Sequence, residues 1–536
     1  MKKIIGFILF LILLSPVFSQ EEEKSEPIEV VHADKLILDE KYPDLKLLTG
    51  HVVLKHKNAV LTSEKALLDI KNNFAEAIGN VELNQGDTIT VSTEILRYDG
   101  NNELGVALGK VFMRDPVMEL QTDTLYYDLR KKVAYYEGGG TVRDTANVLQ
   151  SHTGKYYTDQ KRYEFYGNVL LTNPEYTIES AHLNYNTATG TATFYGPTKI
   201  AGDNGMIYAE KGYYDTQNEE AWFTQNAYLA SGHSEMKADS VYMDKKREFY
   251  SASGHVQMKD TTNKILILAG YVEQWRAKDS VFLTQNPILV NYNNKGDSLY
   301  VTAKNFFLRG KRDKREMFAY PSVRFYQKEF SGIADSLYRS EITDVLELHK
   351  NPVVWDEDSQ ITGNKIIVKY DSLGQNPDSL LIPRDVFIIR KDSAGYNQIK
   401  GKELKGKFLD GRLRKVRISG NTETIYYVRG EKDELVGIDK SICSEIELQL
   451  DKKGQIETVK LLELPQGTTY PPGKFPDKLK YLSGFKWWGD KRIRSAKDLL
   501  RDNVLDFSKP EMKPIEQDND TERNKMKLPS KFLKRL

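Results

Sequence analysis

The chain has 536 residues, with 77 Lys and Arg against 76 Asp and Glu, and one cysteine, Cys443. Near-neutral charge leaves no electrostatic case for nucleic acid as a partner. One thiol excludes an internal disulfide, so a chain far longer than one ordinary domain must draw its stability from sheet hydrogen bonding and packing.

At the start, Lys2 and Lys3 precede an apolar run at 4–14 and small residues near Ser19. This is the pattern of a cleavable secretory signal at 1–19; the run is shorter than the roughly 20 residues that a spanning helix needs. An uncleaved anchor is the alternative.

From residue 33 a marker recurs. Ala33, Asp34, Leu36, Leu38 and Asp39 return in kind as 63–69, 93–99, 122–128 and 238–244. A partner segment begins with glycine followed by alternation, at Gly50, Gly79, Gly109, Gly140, Gly167, Gly196 and Gly254, with Asn226 filling the gap. The spacing of about 30 residues is that of a repeat architecture, each unit a pair of strands that must stack to bury its apolar face. Looser copies centre on Asn286, Pro321, Asn351, Asp385 and Gly420. Glycine in mid-strand predicts a bend, and stacked bends predict a V-shaped trough. The expected fold is all-β: an elongated, antiparallel, open jellyroll built as a solenoid of two-strand repeats.

Period-two alternation assigns the inner face. In first strands it selects Leu36, Leu38, Ala66, Leu68, Leu96, Tyr98, Leu125, Tyr127, Leu183 and Tyr185. In second strands it selects Leu48, Val52, Leu54, Ala77, Val81, Leu83, Ala107, Val111, Met113, Val142, Phe165, Val169, Leu171 and Phe194. Such a surface is either a filled core between two sheets or an open seam that binds hydrocarbon.

The remaining chemistry is sparse. No nucleophile elbow, zinc-binding helix motif or phosphate-cradling glycine loop is present, so no enzyme, metal or cofactor is expected. His51 and His255 fall on the outward side. The recurrent turn acids Asp39, Asp69, Asp99, Asp128, Asp159, Asp215 and Asp244 are accompanied by Lys or Arg in many of the same turns, which favours turn formation over a calcium ladder. The segments 464–467 and 470–473 contain breakers expected to end the last sheet after 456–462. Beyond them the tail holds Trp487 and Trp488 among basic residues, suited either to a membrane or partner surface or to packing over the open end. A short helix is expected at 496–504 and disorder from 511. The organisation is thus 1–19 signal, 20–285 clear repeats, 286–473 divergent repeats and 474–536 tail.

The Ala-Asp-x-Leu-x-x-Asp strand followed by Gly-Asn-Val or Gly-His-Val, behind a signal, resembles the OstA (organic solvent tolerance) family, which includes LptA, LptC and the N-terminal domain of LptD. The resemblance covers 30–258 and, diluted, continues to 472. It implies a periplasmic, non-enzymatic carrier whose groove shields the acyl chains of lipopolysaccharide or a similar glycolipid. It also implies edge-strand pairing with other transport components at the ends. The chain is longer than a typical LptA, lacks the aromatic girdles of a translocon barrel, and has a tail without counterpart. The alternative is a non-enzymatic scaffold or structural solenoid at the outer membrane, with a closed core.

Overall fold

The computed structural model describes residues 26–500 and 512–515, apart from 87–88, 204, 293–296, 312–313, 357–358, 372–375, 453 and 455. The signal at 1–19 lies outside them. The described residues form 38 strands and one short α-helix, Lys497–Leu500, so the fold is all-β as the alternation requires. They fall into two compact units, 1–160 and 161–536.

The first unit contains β1 (Glu29–His32), β2 (Lys35–Asp39), β3 (Tyr42–His56), β4 (Ala59–Asp69) and β5 (Phe74–Gln85). It continues with β6 (Ile89–Asp99), β7 (Leu104–Arg114), β8 (Glu119–Asp128), β9 (Val133–Arg143) and β10 (Val148–Tyr157). From β3 onward each strand pairs antiparallel with the next, and both β1 and β2 lie on β3.

The pairing slips in mid-strand, between Thr49 and Val52, Ile78 and Val81, and Leu108 and Val111. Two successive left-handed residues cause each slip, as at Gly79 (φ 83°) and Asn80 (φ 43°). Glycine suits the first position, because at φ 83° an L side chain is strained and a Cβ would also press on the Glu64 side chain. Glu64 Oε1 accepts a hydrogen bond from Asn80 Nδ2 at 2.6 Å. Asp34 with His51 (2.9 Å), Glu94 with Lys110 (3.1 Å) and Asp239 with His255 (2.9 Å) repeat this brace. The acid in the strand marker is therefore the partner of the residue after the glycine. In β9 the bend falls at Gly138 and Gly139 rather than at Gly140, which lies under the Tyr136 ring.

These corners divide every long strand, and so the sheet, into two half-sheets that face each other as jaws. One jaw carries the turns after Asp69, Asp99 and Asp128. There the acid accepts the backbone N–H three residues on, at 3.0 Å from Asn72 and Asn102 and 2.9 Å from Lys131. Turn formation is thus what these acids do.

The second unit keeps this pattern as far as Ile265–Trp275. From Ser280 the strands shorten into halves, such as Ser280–Thr284 and Ile288–Asn291, each pairing within its own jaw. The corners here are Gln285 and Asn286, Ser322, and Lys350 and Asn351, all left-handed, each beside a proline: Pro287, Pro321 or Pro352. Proline offers no N–H to a ladder, so hydrogen bonding stops at the corner and the jaws separate. Arg412–Arg429 and Leu435–Leu450 again run unbroken through it. The sheet does not end at 464–467. Glu463 and Leu464 are left-handed and form one more corner, after which Gln466–Tyr470 pairs with 438–442.

Inside the second unit one row of partners runs Phe223, Val241, Ala252, Val272, Leu283, Phe306, Ala319 and Leu337, all buried. On the opposite face of one jaw lies a second apolar row that includes Val290, Tyr300, Trp355, Ile389 and Ile425. The C-terminal segment covers it. Fully buried Gln398 donates to Lys480 O and accepts from Leu482 N, both at 2.8 Å. Fully buried Gln360 donates to Lys486 O at 2.8 Å and accepts from Trp488 N at 2.7 Å. Phe485 and Trp487 pack on Tyr396, and Leu500 packs in the cluster of Leu268, Ile288 and Val290. Trp487 thus lies on the outer face of a jaw, a placement neither sequence alternative describes. Of the expected helix at 496–504, residues 497–500 are helical and 501–504 lie outside the described residues. Of 511–536 only 512–515 are described; Lys513 N donates to Tyr208 Oη at 3.1 Å.

Candidate functional site

Across the inside of the first unit's turn-bearing jaw, partner residues alternate large and small: Leu68, Ala75, Tyr98, Gly105, Tyr127, Ala134, Tyr156. Deeper in the same jaw runs Leu48, Ala66, Ala77, Leu96, Ala107, Leu125. The facing jaw presents a uniformly larger row: Leu54, Leu61, Leu83, Val91, Met113, Leu120, Val142, Leu149. The small residues leave a cleft between the jaws. It encloses about 920 Å³ of space between atoms, partly open to solvent, of which the centres of water-sized spheres can occupy about 70 Å³.

Of the residues selected by alternation, Leu54, Leu83, Leu96, Tyr98, Ala107, Met113, Leu125 and Tyr127 line this cleft. Leu48, Val52, Ala66, Leu68, Ala77, Val81, Val111 and Val142 are buried elsewhere in the unit, outside the cleft lining. Leu36 and Leu38, on β2, are 48% and 61% exposed. Phe165, Val169, Leu171, Leu183, Tyr185 and Phe194 belong to the second unit. There the space beside Phe194, Ile207 and Phe223 is about 180 Å³ and admits no water-sized sphere.

The sequence reading missed Leu61, Ala75, Val91 and Ala134 on the walls, and Ile28, His56, Gln85, Tyr156 and Thr158 among the lining residues. The same alternation, carried through each corner into the other half of the strand, selects Leu61 and Val91. His56 and Gln85 give no such signal, because a polar residue at a strand end reads as part of a turn.

Polar groups gather at the mouth. Tyr98 Oη and His56 Nδ1 are 2.8 Å apart, joining the two jaws. Lys57 Nζ meets Glu103 Oε1 at 3.0 Å, also from jaw to jaw. Burial pushes the Tyr98 and Tyr127 phenols up, so both stay neutral. Burial also pushes Glu103 up, but Lys57 and Arg130 outweigh it and hold the carboxyl below the usual range. With an apolar floor and a hydrogen-bonded rim, the cleft is suited to sheltering hydrocarbon from water.

Residues 25–181 match the family model described as OstA-like protein. This stretch of the chain is similar to OstA-like proteins. A comparison with curated proteins finds no match. Solved structures that match include that of LptH from Pseudomonas aeruginosa, titled the LptA homologous periplasmic component of a lipopolysaccharide transport device. Identity is 14% and the TM-score 0.13, over 27% of this chain and 80% of LptH. The OstA-like stretch contains every described residue that lines the cleft.

Proposed function

We propose that the chain is a periplasmic, non-enzymatic carrier that shelters the acyl chains of lipopolysaccharide, or of a similar glycolipid, in the first unit's cleft on the way to the outer membrane. The observation that carries this reading is the cleft itself, an apolar space kept unfilled by Ala75, Gly105, Ala107 and Ala134 within an OstA-like segment. Burial gains about 0.8 kcal/mol per methylene, so even part of an acyl chain would be held. The small room for water-sized spheres means that a multi-acyl guest enters only as the jaws part.

The test is photo-crosslinking to purified lipopolysaccharide from a reactive residue at Leu96 or Ala107. Capture at these positions and not at outward Arg97 or Lys110 is the expected outcome; capture at the outward positions alone would refute the reading. A second reading, a scaffold that joins other transport components by strand addition, draws on the β1 and β2 edge, where Val31, Leu36, Ile37 and Leu38 are exposed. Deleting residues 29–39 would abolish that association while leaving lipid capture at Leu96.

A further inference from the structure

The segment 26–28 lies across both jaws of the first unit. Asn73, in the turn between β4 and β5, holds it from one jaw: its Oδ1 accepts from Ile28 N, and its Nδ2 donates to Glu26 O, both at 3.0 Å. His56, at the end of β3 on the other jaw, meets the same carbonyl through Nε2 at 3.0 Å. A carbonyl only accepts, so Nε2 carries the proton, and in the neutral ring Nδ1 then accepts from the Tyr98 hydroxyl. Tyr98 returns the chain of hydrogen bonds to the first jaw. The Ile28 side chain completes the arrangement by lining the cleft.

We propose that residues 26–28 are a releasable tie across the mouth of the cleft, and that their detachment sets the rate at which an apolar guest enters from the side. The segment suits this task. Its contact with the Asn73 jaw is made by side-chain hydrogen bonds alone, whereas just beyond it β1 pairs with β3 on the His56 jaw, so parting the jaws must break the Asn73 contacts. Lys57 with Glu103 is a second, exchangeable link along the same rim. The guest is taken from the carrier reading above, but the tie is tested without one.

In a Cys443→Ala background, a single cysteine introduced as Ala107→Cys reports access to the cleft through its alkylation rate with iodoacetamide. Adding Asn73→Gly removes both amide contacts while suiting the left-handed turn that Asn73 occupies. The expected result is alkylation faster by about 5- to 30-fold, the range between the loss of one net hydrogen bond and the loss of two. His56→Leu, which removes the contact to Glu26 O and the bond to Tyr98 across the jaws, should act in the same direction. Should Ala107→Cys fold poorly, Ala134→Cys serves as the reporter.

Unchanged alkylation in both release variants would overturn the proposal. So would an equal acceleration at Ala221→Cys, buried in the second unit, since that reports general loosening. Lipopolysaccharide binding is measured on the same proteins. Tie-dependent alkylation without lipid binding upholds the tie and refutes the carrier reading; lipid binding with tie-independent alkylation does the reverse.

Discussion

The two units use the same corner and turn devices but fill their interiors differently. In the first, Ala75, Gly105 and Ala134 alternate with Tyr98, Tyr127 and Tyr156 along one jaw, and the facing row cannot reach far enough to fill the gaps. In the second, Phe223 and Phe306 stand in one jaw and Phe325 in the other, and the outer face of that second jaw is covered in turn by the C-terminal segment. A repeat can thus be hollow or solid without any change in its hydrogen-bonded frame. Only side-chain volume, summed across the two jaws, separates the cases.

The largest effect should come from the solid unit. Phe306 is fully buried, and Phe306→Ala should destabilise it by about 3–5 kcal/mol, through lost burial and an unfilled cavity. Hydrogen exchange read unit by unit is the check, with loss of protection confined to strands after residue 161. Equal loss in the first unit would break the comparison.

Next come the glutamines under the C-terminal segment. Gln398→Ala leaves Leu482 N and Lys480 O without their partner, at a cost of about 1–3 kcal/mol if they stay buried. The readout is faster exchange of the Leu482 amide while the strands beneath keep their protection. Undisturbed exchange at Leu482 would mean that apolar contacts alone hold the segment.

A matched pair of insertions sharpens the contrast. Ala319→Leu in the solid unit should cost about 1–3 kcal/mol by overpacking, whereas Ala107→Leu should cost less, because the cleft can receive the extra atoms. Urea unfolding measures both. Ala107→Leu should also reduce lipopolysaccharide capture from Leu96, which a change in a filled core would not do.

Much of this frame was legible in the residues themselves. The glycine followed by Asn, His or Lys is a pair of left-handed residues, and the terminal Asp caps a turn, so the period and the two faces could both be read. The corner brace was not read, because Glu64 and Asn80 belong to different strands and meet only after pairing. Whether the interior is hollow was also hidden, since alternation names a face and says nothing of the volume opposite. The covered outer face did leave a signal in Ile288, Leu289 and Val290, and in Val386, Phe387, Ile388 and Ile389. Consecutive apolar residues in a strand mean burial on both sides. Gln360 and Gln398 left none, because on a strand each looks like a solvent-facing residue until a segment from over 80 residues away supplies its partners.

The smallest effect concerns the rim of the hollow unit. Glu103 is drawn below the usual carboxylate range by Lys57 and Arg130 despite its burial, and the contact to Lys57 spans the jaws. A folded-state pKa below the unfolded one means that the stabilisation is fully present above the unfolded value, near 4.3, and is lost as pH falls through the lowered folded value. Lys57 is substantially exposed, so the contribution is at most about 1 kcal/mol and is weakened by salt. The urea midpoint of the first unit should therefore fall slightly between about pH 5 and pH 3, and Glu103→Gln should remove that part of the decline. A decline of the same size in Glu103→Gln would place the acid sensitivity elsewhere. The second unit has no part in this contact, so its own midpoint should be indifferent to the substitution at every pH.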